Sequence, residues 1–401
     1  MRSVLVASLL VGSAASRPAV AGEAQIRFTI PTIGELDAPR EDAPAPHVDI
    51  IVNGVPQTTD ADGGFQWDGD EPATVTLSAT GPNVQVIADT GTPAAKTVTV
   101  GPGEIVAWDA RADELVDSQL ATFIYMSRVR SWAVALVPDA TQPARVKAVV
   151  NNDSENCGGS AAAGGLMLHV GAPGACINPG LSPDTIYHEF GHVLRYALHG
   201  RSPDEAVTEA VGDSVAVTLL DEPLVLRGYY GELAGITRNV SDPNKVWPDD
   251  GNTGDGHEDG LILSGALWDL REILITDQGT DAGRAHYDRL LIEVIRSTTD
   301  MLSAYRVVLE ADDDDGDLAN GTPAYCAIHS AFAAHGLAIL EGIEPSIACS
   351  GDKPDGMDEQ PSDEPVPGGC TAAGSPSTLA PGLAMLLAGV LARRWRRRRG
   401  R

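Results

Sequence analysis

His188 and His192 stand four residues apart in the segment His188-Glu189-Phe190-Gly191-His192. On a helix, residues at i and i+4 project from one face, one turn above the other, so the two imidazoles can close on a single metal ion. Glu189, beside the first of them, is placed to take a proton from a metal-bound water. Zinc suits that chemistry because it lowers the pKa of its bound water to about 7. Ordinary residue frequencies produce an H-E-x-x-H in a chain this long roughly once in a hundred cases. Two satisfied surface histidines are the weaker explanation.

The elements around the pair fit. Ser182 is a good helix N-cap, Pro183 suits the first helical position, and Asp184 sits in the first turn, where acids are favoured. Gly200 is a natural stop. A third ligand is still needed. The pattern H-E-x-x-H-x-x-G-x-x-H is excluded, because Arg195 takes the glycine position and Leu198 the last histidine position. A second helix starting at Ser202-Pro203-Asp204-Glu205 offers an acid instead, with Ser202 and Glu205 expected to form a capping box. Glu205 then has a structural job, which leaves Glu209 as the ligand. Asp213, four residues on, can accept a hydrogen bond from the far nitrogen of a metal-bound histidine and fix its tautomer.

With these residues in place the chain resembles the gluzincin metallopeptidases, and among them the fungalysin-like and thermolysin-like endopeptidases. The matching pieces are His188 to His192, Glu209-Ala210-Val211-Gly212-Asp213, and His257-Glu258-Asp259-Gly260-Leu261 leading to Trp268. The resemblance covers roughly residues 113–337, including Gln119 to Tyr125 as the first helix of the catalytic domain. It implies a two-lobed zincin domain and polypeptide substrates. It also gives His257 the task of stabilising the oxyanion, a donor opposite the base being needed where negative charge develops. The strand 166–170 would be the edge strand to which an extended substrate adds. The chain departs from the family in what precedes the site, about 90 residues of β pattern (22–111) instead of a long pro-domain.

That region contains short β-branched runs at 48–52, 74–77, 84–87 and 97–100, punctuated by Asn-Gly, Asp-Gly-Gly and Gly-Pro turns. It reads as a small Ig-like β-sandwich, an accessory domain or a pro-segment. Helical patterns dominate 112–349, so the fold class expected is α+β. Residues 350–376 form an acidic, Pro- and Gly-rich linker.

Both ends look like address labels. Residues 1–21 have a basic start, an apolar run and an Ala19-Val20-Ala21 cleavage site, as secretory signal peptides do. At the other end, Leu379 to Ala392 is apolar and short for a full span of roughly 20 residues. Gly369-Cys370 precedes it and an arginine cluster follows. This order (377–401) resembles the C-terminal sorting tails of myxobacterial surface proteins, with Cys370 as the processing or anchoring residue. An ordinary single-span transmembrane anchor is the alternative. Only this tail would touch a membrane.

The net charge is −28, and near −37 without the two ends, which hold nine arginines and no acid. So acidic a surface argues against nucleic acid as a partner. Four cysteines remain outside the tail, and sequence proximity pairs them as Cys157–Cys176 and Cys326–Cys349, disulfides of an oxidising compartment. The run Asp312 to Asp317, with Asp313, Asp315 and Asp317 as ligands, could hold calcium or be a solvated acidic loop. The reading is a secreted or surface-anchored zinc endopeptidase. A catalytically silent zincin-fold binding protein and a zinc hydrolase of non-peptide substrates are the alternatives.

Overall fold

The computed structural model describes residues 21–349, apart from 36, 139–144, 154–156, 163, 171–175, 201–203, 229–236, 252 and 341–348. The described residues belong to one compact unit that closes at Cys349. The residues before Ala21 expected to form a signal segment, Ser202, the acidic linker and the arginine-rich tail with Cys370 lie outside the described residues.

The chain is mixed α+β. Nine strands come first: β1 (Ala21–Pro31), β2 (Arg40–Pro44), β3 (Asp49–Val52), β4 (Val55–Thr58), β5 (Gly64–Asp68), β6 (Ala73–Ser78), β7 (Val84–Ala88), β8 (Ala95–Val100) and β9 (Ile105–Asp109). Helix α1 (Glu114–Leu136) follows, then β10 (Val146–Asp153), β11 (Gly158–Ala162) and β12 (Gly165–Val170). The remainder is α2 (Pro183–Leu198), α3 (Glu205–Leu220), the two-residue strands β13 (Leu224–Val225) and β14 (Arg238–Asn239), α4 (Gly256–Gln278), α5 (Thr280–Ser297), α6 (Ser303–Asp312) and α7 (Tyr325–Ala334).

Alternation builds the first two sheets. In β1, Ala24, Ile26, Phe28 and Ile30 all point inward. This strand pairs antiparallel with β2 and β5 and parallel with β9. In the second sheet, ordered β4-β3-β6-β8, Ile50, Val52, Val75 and Leu77 are buried while Thr74 faces out. The third sheet, ordered β11-β12-β10-β7, draws strands from both sides of residue 111, since Val84–Ala88 pairs in parallel with Val146–Val150. Other bonds cross the same position. Arg40 grips the buried Asp117 carboxylate of α1 at 2.5 and 3.0 Å, and the Tyr125 hydroxyl donates to the Pro31 carbonyl.

The order of that third sheet corrects one expectation. Strand 166–170 lies inside β12, between β10 and β11, so its hydrogen bonds are taken on both sides. The edge belongs to β11.

Helix α1 is buried on nearly every side, as a central helix must be. Next to it α2 begins as expected, with Ser182 accepting from the Thr185 N–H, and ends where Gly200 takes a φ of +86°. Helix α3 is capped differently. Asp204 accepts from Val207 N at 3.0 Å and the helix starts at Glu205, while the expected box partner Ser202 lies outside the described residues. The described residues contain no helix long and apolar enough to cross a membrane. Both disulfides join the cysteines nearest in sequence, Cys157–Cys176 and Cys326–Cys349.

Candidate metal centre

Helices α2 and α3 pack face to face through glycines. A Cβ on Gly191 would lie 2.9 Å from the Gly212 Cα, and one on Gly212 would lie 2.6 Å from the His188 ring. Gly260 does the same for α4, where a Cβ would meet the Ala206 carbonyl at 3.0 Å and Glu209 Cβ at 3.3 Å. Three helices thus deliver their side chains to one point. His188, Glu189 and His192 are only 6, 7 and 8 % exposed.

At that point His188 Nε2 lies 3.0 Å from His192 Nε2 and 3.1 Å from Glu209 Oε2. Glu209 Oε1 is 3.6 Å from His192 Nε2. His257, from the first turn of α4, brings its Nε2 to 3.0 Å from Glu209 Oε2. Although two ring nitrogens approach Glu209 Oε2, this buried oxygen makes no hydrogen bond of proper geometry. Tetrahedral bonds of about 2.0–2.1 Å set ligand atoms roughly 3.3 Å apart, and the observed spacings bracket that value. The donor set therefore fits a zinc ion. His188, Glu209 and His257 each offer one ligand atom within 4.8 Å of the others, and His192 adjoins them.

Charge is arranged to match. Burial pushes the His192 pKa down to about 4, with the neighbouring His188 adding to the effect, so this imidazole is neutral with a free lone pair. Burial would raise the Glu209 and Asp213 carboxyls. Instead His188 and His257 hold the first, and Arg238 and His188 the second, below the usual carboxylate range. At Glu189 burial outweighs the neighbouring His188, His257 and Arg238. Burial lifts its pKa to about 7, and its Oε2 is buried without a hydrogen bond. A carboxyl poised there can both take and return a proton near neutral pH.

Asp213 Oδ1 stands 2.8 Å from His188 Nδ1 and accepts its N–H, which leaves Nε2 as the ring atom turned to the centre. Behind it Arg238 grips both Asp213 oxygens, at 2.6 and 2.9 Å. Arg238 is a site residue that the sequence did not reveal. It is a lone arginine on a two-residue strand, 25 positions after Asp213, and carries no local signal. Gly159 of β11 is another such residue: a Cβ there would lie 2.6 Å from both Cγ and Oε1 of Glu189.

The acidic loop differs from its expected form. Asp313, Asp314 and Asp315 bring oxygens together, while Asp317 turns away to accept from the Ala319 N–H at 3.1 Å. Asp315 meanwhile accepts from Asp317 N and Asn320 Nδ2, and Asp313 from Asp315 N.

No protein-family model and no curated protein matches this chain. Among solved structures, one that is similar is the precursor of protealysin, a metalloproteinase from Serratia proteamaculans. It is 12 % identical, over 65 % of this chain and 90 % of that one, with a TM-score of 0.49.

Proposed function

We propose that this chain is a zinc-dependent endopeptidase of the glutamate-ligand, fungalysin-like kind. One observation carries the reading: His188, His192 and Glu209 converge at 3.0–3.6 Å around a buried point, with the Glu189 carboxyl, whose Oε2 makes no hydrogen bond, beside it. His188, His192 and Glu209 would hold the metal. Bound zinc would acidify a water and polarise the substrate carbonyl. Glu189 takes the proton from the attacking water and passes it to the leaving amine. His257, half-exposed at the rim, donates its ring N–H where the carbonyl oxygen gains charge. β11, at the end of the strand order among the described residues, receives an extended polypeptide by main-chain hydrogen bonds.

The rest of the proposal concerns the setting. The third sheet and helices α2 to α4 form the two lobes of a zincin domain, and the two N-terminal sheets form an Ig-like sandwich. The hydrogen bonds across residue 111 support retention of residues 22–111 in the mature protein rather than their loss as a pro-segment. The signal segment and the two disulfides support secretion, and the tail after residue 376 would sort or anchor the protein. Calcium at Asp313 to Asp315 would stabilise the fold and take no part in the chemistry.

The test is metal content together with digestion of a denatured test protein, with and without chelator. The purified mature protein is expected to hold one zinc, and Glu189→Gln to keep that zinc while kcat drops about a hundred- to ten-thousand-fold. A protein without zinc, or a Glu189→Gln variant with full activity, would end the reading. Zinc with no cleavage of any polypeptide would favour a silent binding protein or a hydrolase of other substrates.

A further inference from the structure

The edge strand β11 reads Gly-Gly-Ser-Ala-Ala, a sequence poorly suited to hold a strand. Glycine and alanine have low strand propensity, and glycine loses more backbone freedom on ordering than any other residue. Pairing is also one-sided, because among the described residues β11 pairs with β12 and with no other strand. Yet this strand is where close placement matters, since Gly159 lies against the Glu189 carboxyl with no room for a Cβ.

Cys157 immediately precedes the strand and is bonded to Cys176. Two residues beyond Cys176 the chain is firmly seated. Asn178 is buried, accepts from Gly180 N at 3.0 Å and donates to the Asn151 carbonyl oxygen of its side-chain amide at 2.9 Å. Asn151 in turn accepts from the buried Ser118 hydroxyl of α1 at 2.8 Å. Four residues after Asn178, Ser182 caps the helix that carries His188 and Glu189.

We propose that the Cys157–Cys176 disulfide is a positioning element of the site, fixing the weak edge strand over Glu189 by tying it to the seated entry of the metal helix. A crosslink serving only global stability could sit anywhere that closes a loop. This one joins the least self-sufficient strand of the third sheet to the segment that leads into α2. Its effect falls on substrate pairing along β11 rather than on the metal, whose ligands are carried by α2 and α3.

The experiment compares the full chain with Cys157→Ser/Cys176→Ser and, as a control, Cys326→Ser/Cys349→Ser. The first pair is expected to keep the parent's zinc content while amide exchange across 158–162 speeds up about tenfold or more. Its KM for a ten-residue peptide should rise about fivefold, with kcat within about twofold of the parent. The control pair should change neither quantity. Parent-like exchange in β11 together with a parent-like KM would overturn the proposal. The kinetic arm rests on the peptidase reading and the exchange arm does not, so an inactive parent would sink that reading while exchange still judges this one. Should the serine pair fail to fold, Gly159→Ala probes the same placement with both disulfides intact. It is expected to lose about tenfold in kcat/KM with zinc retained, and unchanged kinetics there would equally overturn the proposal.

Discussion

Gly191 and Gly212 face each other where helices α2 and α3 come closest, and a Cβ on the first would stand 2.9 Å from the Cα of the second. This contact is backbone against backbone and has no flexible side chain to give way. It explains why the segments His188 to His192 and Glu209 to Asp213 each contain a glycine among their functional residues. The helices must approach closely for Glu209 Oε2 to come within 3.1 Å of His188 Nε2.

Gly212→Ala should therefore damage metal binding before it damages the fold. The new methyl would lie 2.6 Å from His188 Nδ1 and Cε1, on the side where Asp213 holds the ring. Overpacking of this kind costs about 1–3 kcal/mol of stability. Losing the orienting hydrogen bond should cost about ten- to a hundredfold in zinc affinity. Competition with a chromophoric chelator measures the second quantity. An affinity equal to the parent's would show that the close helix contact does not position His188.

His257 separates two roles that the geometry leaves side by side. Its Nε2 reaches Glu209 Oε2 at 3.0 Å, while its side chain is 48 % exposed and Asp255 Oδ1 accepts from its backbone N–H. As a donor to the developing oxyanion, its loss in His257→Ala should leave zinc content unchanged and lower kcat about a hundredfold or more. As a fourth protein ligand, its loss should instead weaken zinc binding. Zinc stoichiometry of the variant after dialysis decides between them, and a metal-depleted variant would count against the oxyanion role.

Helix α2 was legible in the sequence because its signals are local. Ser182, Pro183 and Gly200 bracket it, and the histidine spacing sets one face. Both disulfides followed from proximity alone, since each joins nearest neighbours 19 and 23 residues apart. What failed was what depends on partners distant in sequence. Residues 166–170 read as a strand, whereas the Gly-Gly-Ser-Ala-Ala of 158–162 carries no strand signal, so only the pairing shows that 166–170 lies between β10 and β11. Val84–Ala88 looked like its neighbours in the N-terminal β region and yet pairs with β10. At α3 the cap is Asp204, whose carboxylate reaches Val207 N, a role the sequence pattern assigns to Ser202.

Arg40→Met tests whether the N-terminal strands are integral to the folded unit. Arg40 is the ion-pair partner of Asp117, whose side chain is only 3 % exposed. Removing one member of a buried pair leaves an uncompensated charge and costs about 3–5 kcal/mol. Burial already raises the Asp117 pKa, and without the arginine it would rise further, so folding would take up a proton. The loss should then be greatest above neutral pH and shrink toward about pH 5, as the carboxyl is neutralised. Denaturant melts at two pH values check this. A loss below about 1 kcal/mol would mean that the β region is only loosely docked.

The buried His335 should make stability depend on pH on the alkaline side. Its Nδ1 is 2.8 Å from the Lys245 carbonyl and its Nε2 is 3.2 Å from an Asp269 oxygen. Both partners only accept, so both bonds need the doubly protonated ring. Burial alone would lower the pKa, but the Asp269 carboxylate and the Lys245 carbonyl, with Asp242 nearby, outweigh it and raise it. A histidine whose folded pKa lies above its unfolded value of about 6.5 lends its full stabilisation below that value and loses it as pH rises through the folded one. The difference in unfolding midpoint between the parent and His335→Gln should thus be largest near pH 6 and smaller near about pH 9. The consequence reaches the site, because the His335 carbonyl also holds Trp247 N at 3.0 Å and its ring packs on Gly265 of α4, the helix whose first turn carries His257. A difference that stays constant or widens with pH would show that the ring is neutral in the fold and that one of the two hydrogen bonds is not made.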